Sequence, residues 1–151
     1  VNAILQPALP DDAAEIRALV AFTVAHTFTD DPDLQQDTIA NVDLNVDRWL
    51  AQPQACIHLK AVAGGRIVGM VLVREFWNLC NLFVHPGWQR QGIGQALLEA
   101  ACEPCKGRSP KGAILLNAAP NAVDFYARLG FVEREPTRAL PPGAKAMLRR
   151  V

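Results

Sequence analysis

What this chain has little of already narrows its class. Its 151 residues hold a single tyrosine, three tryptophans and two methionines, and 15 basic side chains are cancelled by 15 acidic ones. Duplex DNA and anionic membranes are recognised through a surplus of basic groups, so neither nucleic acid nor a membrane is expected as the principal partner, although a local basic site stays compatible with the balance. No stretch nears the roughly 18 uninterrupted apolar residues of a membrane span, and the opening residues, VNAILQPALPDD, carry neither a basic leader nor an apolar core. A cytoplasmic location is the expectation. Cysteine is scarce too: Cys56, Cys80, Cys102 and Cys105 are too few and too unevenly placed for the framework of a secreted mini-protein. Reduced thiols are expected. Cys102 and Cys105 form one C-x-x-C late in an expected helix, with no second pair, so no metal site is expected there.

What is present is ordinary for a folded domain: 50% hydrophobic residues, 20% charged, and no repeat or linker. The length suits one domain over residues 1–151. Residues 3–9 read as a short strand, and Asp12 with Glu15 has the spacing of a capping box opening a helix that runs to about His26. The break at Thr29, Asp30, Asp31 and Pro32 precedes a second helix with Ile39, Val42, Val46, Trp49 and Leu50 on one face. After Pro53 the period changes to two. Ile57, Leu59, Ala61 and Ala63 alternate with His58, Lys60 and Val62, which sets His58 toward solvent, and Gly64-Gly65 turns the chain into a second strand, RIVGMVLV. A third strand follows from about Trp77 to Val84, then the glycine-bearing segment WQRQGIG and a helix that Pro104 ends. Ala113–Asn117 suits a buried strand. Asn121 is placed to cap a last helix closed by Gly130, and residues 131–134 and 145–149 can pair as closing strands.

The most informative stretch is NLFVHPGWQRQGIGQALL, residues 81–98. A helix start has unpaired N–H groups and positive dipole charge, and glycines there let a phosphate approach the backbone. Gly92 and Gly94 hold that place, and Arg90 adds a charge. A dinucleotide fingerprint would want glycine or alanine at Leu97 and an acid at the end of the next strand, where Asn117 stands. A P-loop would want Gly-Lys-Ser or Gly-Lys-Thr, which is missing. A plain tight turn is the remaining reading of the two glycines alone.

The segment is similar to motif A of the GCN5-related N-acetyltransferase superfamily, in which Gln or Arg is followed by two residues, Gly, one residue, and Gly or Ala; Gln89, Gly92 and Gly94 match. NAVDFYARLGF, residues 121–131, resembles the family's motif B. The resemblance implies an α/β (α+β) fold: a mixed, mostly antiparallel sheet of about six or seven strands flanked by about four helices. It implies acetyl-CoA as co-substrate, its pyrophosphate on Arg90, Gln91, Gly92, Ile93, Gly94 and Gln95, its pantetheine paired with Leu82, Phe83 and Val84 as an added strand, and further contacts from Gln89, Asn117, Asn121 and Tyr126. It implies transfer of acetyl to a primary amine of a small molecule or protein by direct attack in a ternary complex, and it admits a homodimer.

Such transfer asks for a donor to the developing oxyanion, for which the N–H near Leu82 is placed, and an acid for the leaving thiolate. Tyr126 is the candidate acid, because a phenol of pKa about 10 keeps its proton at neutral pH; its spacing to Val123 and Leu129 equally suits a core aromatic. In some relatives the general-base glutamate sits on the strand before motif B, which falls here near Leu116; Glu75 and His26 are the replacements, and each also reads as a surface or structural residue. The acidic stretch Asp30, Asp31, Asp33 and Asp37 reads as a solvated helix start, and in the family this region flanks the acceptor pocket, where it would draw a cation. With the base missing, an acyl-CoA-binding module without catalysis is the alternative, and a dinucleotide-binding domain a weaker one.

Overall fold

A computed structural model describes residues 2–28 and 31–151. Seven strands form one sheet, β1 (Ile4–Pro7), β2 (Cys56–Ala63), β3 (Arg66–Arg74), β4 (Asn78–Val84), β5 (Ala113–Ala118), β6 (Val132–Glu133) and β7 (Lys145–Arg150). Their order is β1-β2-β3-β4-β5-β7-β6. Every neighbouring pair is antiparallel except β4 with β5. Four α-helices, α1 (Ala13–Thr23), α2 (Pro32–Ala51), α3 (Ile93–Cys102) and α4 (Val123–Arg128), cover the two faces. The mixed, mostly antiparallel architecture expected from the sequence is the one found.

The sheet divides the core in two. On one face Ile16, Leu19 and Val20 of α1 and Val42, Val46 and Trp49 of α2 bury against Ile67, Met70 and Leu72 of β3. On the other, Ile93, Leu97, Leu98 and Ala101 of α3 and Tyr126 of α4 bury against Val71, Val73, Leu79, Ile114 and Leu116. Both faces are covered, so β3 reads as a continuous apolar run with no polar side to present. The same burial corrects the reading of β2: His58 is 5% exposed and meets Trp49 edge-on at 4.2 Å, because α2 lies over the face on which alternation alone suggested solvent. Leu50, expected inward, is instead 38% exposed, one position past the buried Trp49.

Local details differ in instructive ways. The expected box between Asp12 and Glu15 does not form. Asp12 accepts from the Leu9 N–H at 2.7 Å and from Lys60 Nζ at 2.7 Å, while Glu15 reaches across to the Ile67 N–H at 2.7 Å. α1 stops at Thr23 and passes into a π-helical turn over Val24–Phe28. Asp31 caps α2 through its Oδ1, which accepts from the N–H groups of Asp33 and Leu34. Thr29 and Asp30 lie outside the described residues. Asn121 makes no cap; it sits in a 3-10 turn, Pro120–Ala122, before α4. Gly130 does take the left-handed role, φ +90°, and the Phe131 N–H closes on the Tyr126 carbonyl at 3.1 Å.

Candidate active site

β4 and β5 make the site by parting. They share one registered pair, Asn78 with Leu115, supported by a Leu115 N–H to Trp77 carbonyl bond of 2.8 Å, and then diverge toward their C-terminal ends. β4 keeps its other edge on β3, where the His85 N–H donates to the Val68 carbonyl at 2.8 Å. Since successive peptide groups of a strand point to alternate sides, the N–H groups of Leu82 and Val84 face the gap. The Val84 carbonyl, on that same side, accepts from Gln89 Nε2 at 2.9 Å, so the side chain of Gln89 pins the following loop to the end of β4.

The gap opens into a cleft of about 730 Å³, within the usual range for small-molecule sites. At its mouth the loop reverses through two left-handed residues, Arg90 at φ +63° and Gly92 at φ +83°, and α3 begins. No side chain caps that helix, whose first-turn N–H groups at Ile93, Gly94 and Gln95 therefore lack intrahelical partners. A Cβ at Gly94 would stand 3.5 Å from Phe125 Cζ and 3.6 Å from Val84 Cγ2, so the glycine leaves room for backbone contact that a large side chain would fill. Free N–H groups, a helix dipole and Arg90 in the same lining are the chemistry that an anion cradle requires.

Deeper in, α4 presents Tyr126, 8% exposed, its ring packed edge-on against Phe125 and Phe131 at 5.2 and 5.5 Å. Among the described residues no group bonds its hydroxyl. Burial pushes this phenol well above its ordinary pKa, so the proton stays on oxygen. Arg149 holds α4 in place, donating to the Leu129 carbonyl at 2.9 Å and to Glu99 of α3 at 2.8 Å.

Of the residues expected from the sequence, the cleft brings together Leu82, Phe83, Val84, Gln89, Arg90, Gly92, Ile93, Gly94, Gln95, Asn117, Asn121 and Tyr126. Gln91 is exposed outside its lining. Glu75 is not there either. It occupies the β3–β4 turn at φ +56°, its N–H bonded to the Ala55 carbonyl at 2.7 Å, and it lines a separate cavity of about 160 Å³ beside Arg48 and Arg74 at the other end of β4. His26 is stacked on Phe22 at 4.0 Å and shares its Nδ1 with the Phe22 carbonyl at 2.7 Å, also outside the lining. Neither substitute for the general base stands in the cleft.

At the other end of the cleft the sequence pointed to the acidic start of α2, but Asp31, Asp33 and Asp37 lie outside the lining, and the residues that do line that end were not singled out. Thr23 of α1, Thr38, Asn41 and Val42 of α2, and Cys80 and Asn81 of β4 line it from the α1–α2 face. The signal available was a lone amide, Asn81, inside an apolar strand.

The geometry is that of a known family. Residues 33–139 match the family model described as the acetyltransferase (GNAT) domain, and the chain belongs to that family. A stretch of 64 residues is 39% identical to an uncharacterized N-acetyltransferase of Methanocaldococcus jannaschii; it makes up 41% of this chain and spans 28% of that relative. Over its whole length the chain has the fold of a GCN5-related N-acetyltransferase from Rhodopseudomonas palustris, with TM-score 0.81, 23% identity and 97% of that chain covered. A PaiA N-acetyltransferase from Thermoplasma acidophilum, solved with coenzyme A, superposes over 100% of both chains with TM-score 0.75 at 15% identity.

Proposed function

We propose that this protein transfers an acetyl group from acetyl-CoA to a primary amine by direct attack in a ternary complex. The observation that carries the reading is the splay of β4 from β5, which sets an unpaired strand edge, an uncapped helix start and an unbonded tyrosine hydroxyl into one cleft. Residues present fit the co-substrate. The N–H groups of Ile93, Gly94 and Gln95, with Arg90, would hold its pyrophosphate, and the gap-facing edge at Leu82 and Val84 would pair with its pantetheine. When bound, it supplies a thioester whose acyl carbon is open to attack. The N–H at Leu82 would donate to the carbonyl oxygen as charge develops on it. As the new C–N bond forms and the C–S bond breaks, the Tyr126 hydroxyl would donate its proton to the departing sulfur, and the proton lost by the amine would return through water to the Tyr126 oxygen.

Titration calorimetry with acetyl-CoA, followed by release of free CoA thiol over a panel of amines that includes peptides with free N-termini, tests the proposal. Binding together with thiol release is the expected result. Binding with no release over the panel would mark an acyl-CoA-binding module, and preference for NADH over acetyl-CoA a dinucleotide-binding domain.

A further inference from the structure

Asn81 lies on the α1–α2 side of the cleft, beside the gap between β4 and β5. It is 5% exposed and lines the cleft; its Oδ1 is buried without a partner, so the accessible end of the amide is Nδ2, a donor that no described group bonds. A buried amide left unpaired costs free energy comparable to a lost hydrogen bond. In the middle of a strand whose neighbours are apolar, a leucine would avoid that cost.

The backbone sets the direction of this donor. Leu72 of β3 is opposite Asn81 but Val73 is opposite Leu79, so Cys80 is an extra residue, a β-bulge. The bulge puts Cys80 and Asn81 on the α1–α2 face in succession, with Leu79 and Leu82 on the other. On its β3 flank Asn81 abuts Leu72, which is 0% exposed; on the other flank β5 has already parted from β4. The accessible Nδ2 therefore lies on the gap flank, to which the Leu82 N–H also points. Only the side chain and carbonyl carbon of Asn81 separate the two donors, a span short enough for both to converge on one oxygen, as an oxyanion site requires.

Resting on the function proposed above, we infer that Asn81 is a catalytic residue: its Nδ2 is the second donor, beside the Leu82 N–H, to the carbonyl oxygen of the acyl group. As the amine nitrogen bonds to the acyl carbon, the carbonyl π pair moves onto that oxygen, where two fixed donors meet it, and the pair returns as the C–S bond breaks. Asn81 gives up no proton. A neutral donor suits this place, because the charge it faces exists only while the bonds exchange.

The test reads the acyl group directly, in the full chain with acetyl-CoA ¹³C-labelled at its carbonyl and no amine present. Calorimetry on the same samples comes first: a chain that binds no acetyl-CoA overturns the proposed function and this inference with it, whereas binding with the wrong infrared result overturns the assignment of Asn81 alone. A hydrogen bond to a carbonyl oxygen lowers its stretching frequency, so in isotope-edited infrared spectra the labelled band of the bound thioester lies at higher wavenumber in Asn81→Leu than in the unsubstituted protein. A band that stays in place overturns the inference. Asn81→Val, a second apolar replacement suited to a strand, gives the same displacement; a displacement in one variant only marks altered packing and overturns it too. With the amine that releases most thiol, kcat falls about 10²- to 10³-fold in both variants, the worth of one oxyanion donor, while acetyl-CoA affinity and the KM for the amine hold and the thermal midpoint is equal or higher. An unchanged kcat, or a loss of acetyl-CoA affinity that matches the loss of rate, overturns the assignment.

Discussion

The two halves of the cleft are built on different principles. On the α3–α4 face the donors are peptide groups: the edge of β4 and the first turn of α3, held by glycine conformation and by the Gln89 bond to the Val84 carbonyl. On the α1–α2 face the lining is side chains, Thr23, Thr38, Asn41 and Asn81, delivered by two helices and a bulge. Backbone donors suit a ligand part that does not vary, because they tolerate any side chain except one that fills the space. Side-chain donors suit a part that is selected, since one substitution changes what is accepted. On the function proposed above, the first half would take the coenzyme and the second the acceptor.

The largest effect expected comes from filling the backbone half. Gly94→Trp puts an indole where even a methyl would touch Phe125 and Val84, and calorimetrically detectable acetyl-CoA binding is lost. Gly94→Ala makes only ordinary contact there and keeps it. If Gly94→Trp binds acetyl-CoA normally, the cradle is elsewhere and the comparison of halves breaks.

Next in size is Tyr126→Phe. It removes a hydroxyl that no described group bonds, so the thermal midpoint and the acetyl-CoA affinity hold while the rate falls by about 10² to 10⁴, the usual worth of a general acid. Wild-type turnover in this variant would transfer the role to water.

The third expectation separates the halves by pH. Burial against α2 lowers the pKa of His58 from 6.5 to about 4, so between those values the unfolded chain binds the extra proton and the folded one does not. Stability is therefore full above pH 6.5 and falls as the pH drops toward 4, by on the order of 3 kcal/mol in all, from about 1.4 kcal/mol per pKa unit. Because His58 lies under Trp49, amide exchange should rise in α2 on acidification before it rises in α3. Equal rises in the two helices would show that the protonation unfolds the chain as a whole. His58→Phe should flatten the acid limb of a stability curve measured by denaturant titration.

The smallest effect belongs to Glu75. Glu75→Gln should leave turnover unchanged, because the side chain lines the small cavity beside Arg48 and Arg74 and not the cleft. A large loss of rate would mean that the turn between β3 and β4 acts on the site over the length of the strand.

No helix among the described residues is long and apolar enough to cross a membrane, in keeping with the lack of long apolar runs. The backbone half of the site was legible because its causes are local. Gly92, Gly94 and Gln89 stand within six residues of one another and do their work through turn geometry and a helix start, which short-range spacing encodes. Tyr126 was legible as a position, but its spacing to Val123 and Leu129 suited a core ring equally well; only the tertiary structure shows that the ring is packed while its hydroxyl is left unbonded at the cleft.

By itself, then, the sequence determined the order of the elements, the turns, the glycine spacing of the loop before α3 and the family, all matters of period and short spacing. The tertiary structure decided what lies far apart in the chain. Whether His58 meets solvent depended on α2 packing over β2, and whether Glu75 reaches the chemistry depended on which end of β4 opens. The face on which Asn81 emerges depended on one extra residue at Cys80, since a bulge reverses the alternation that a strand's period of two would otherwise impose.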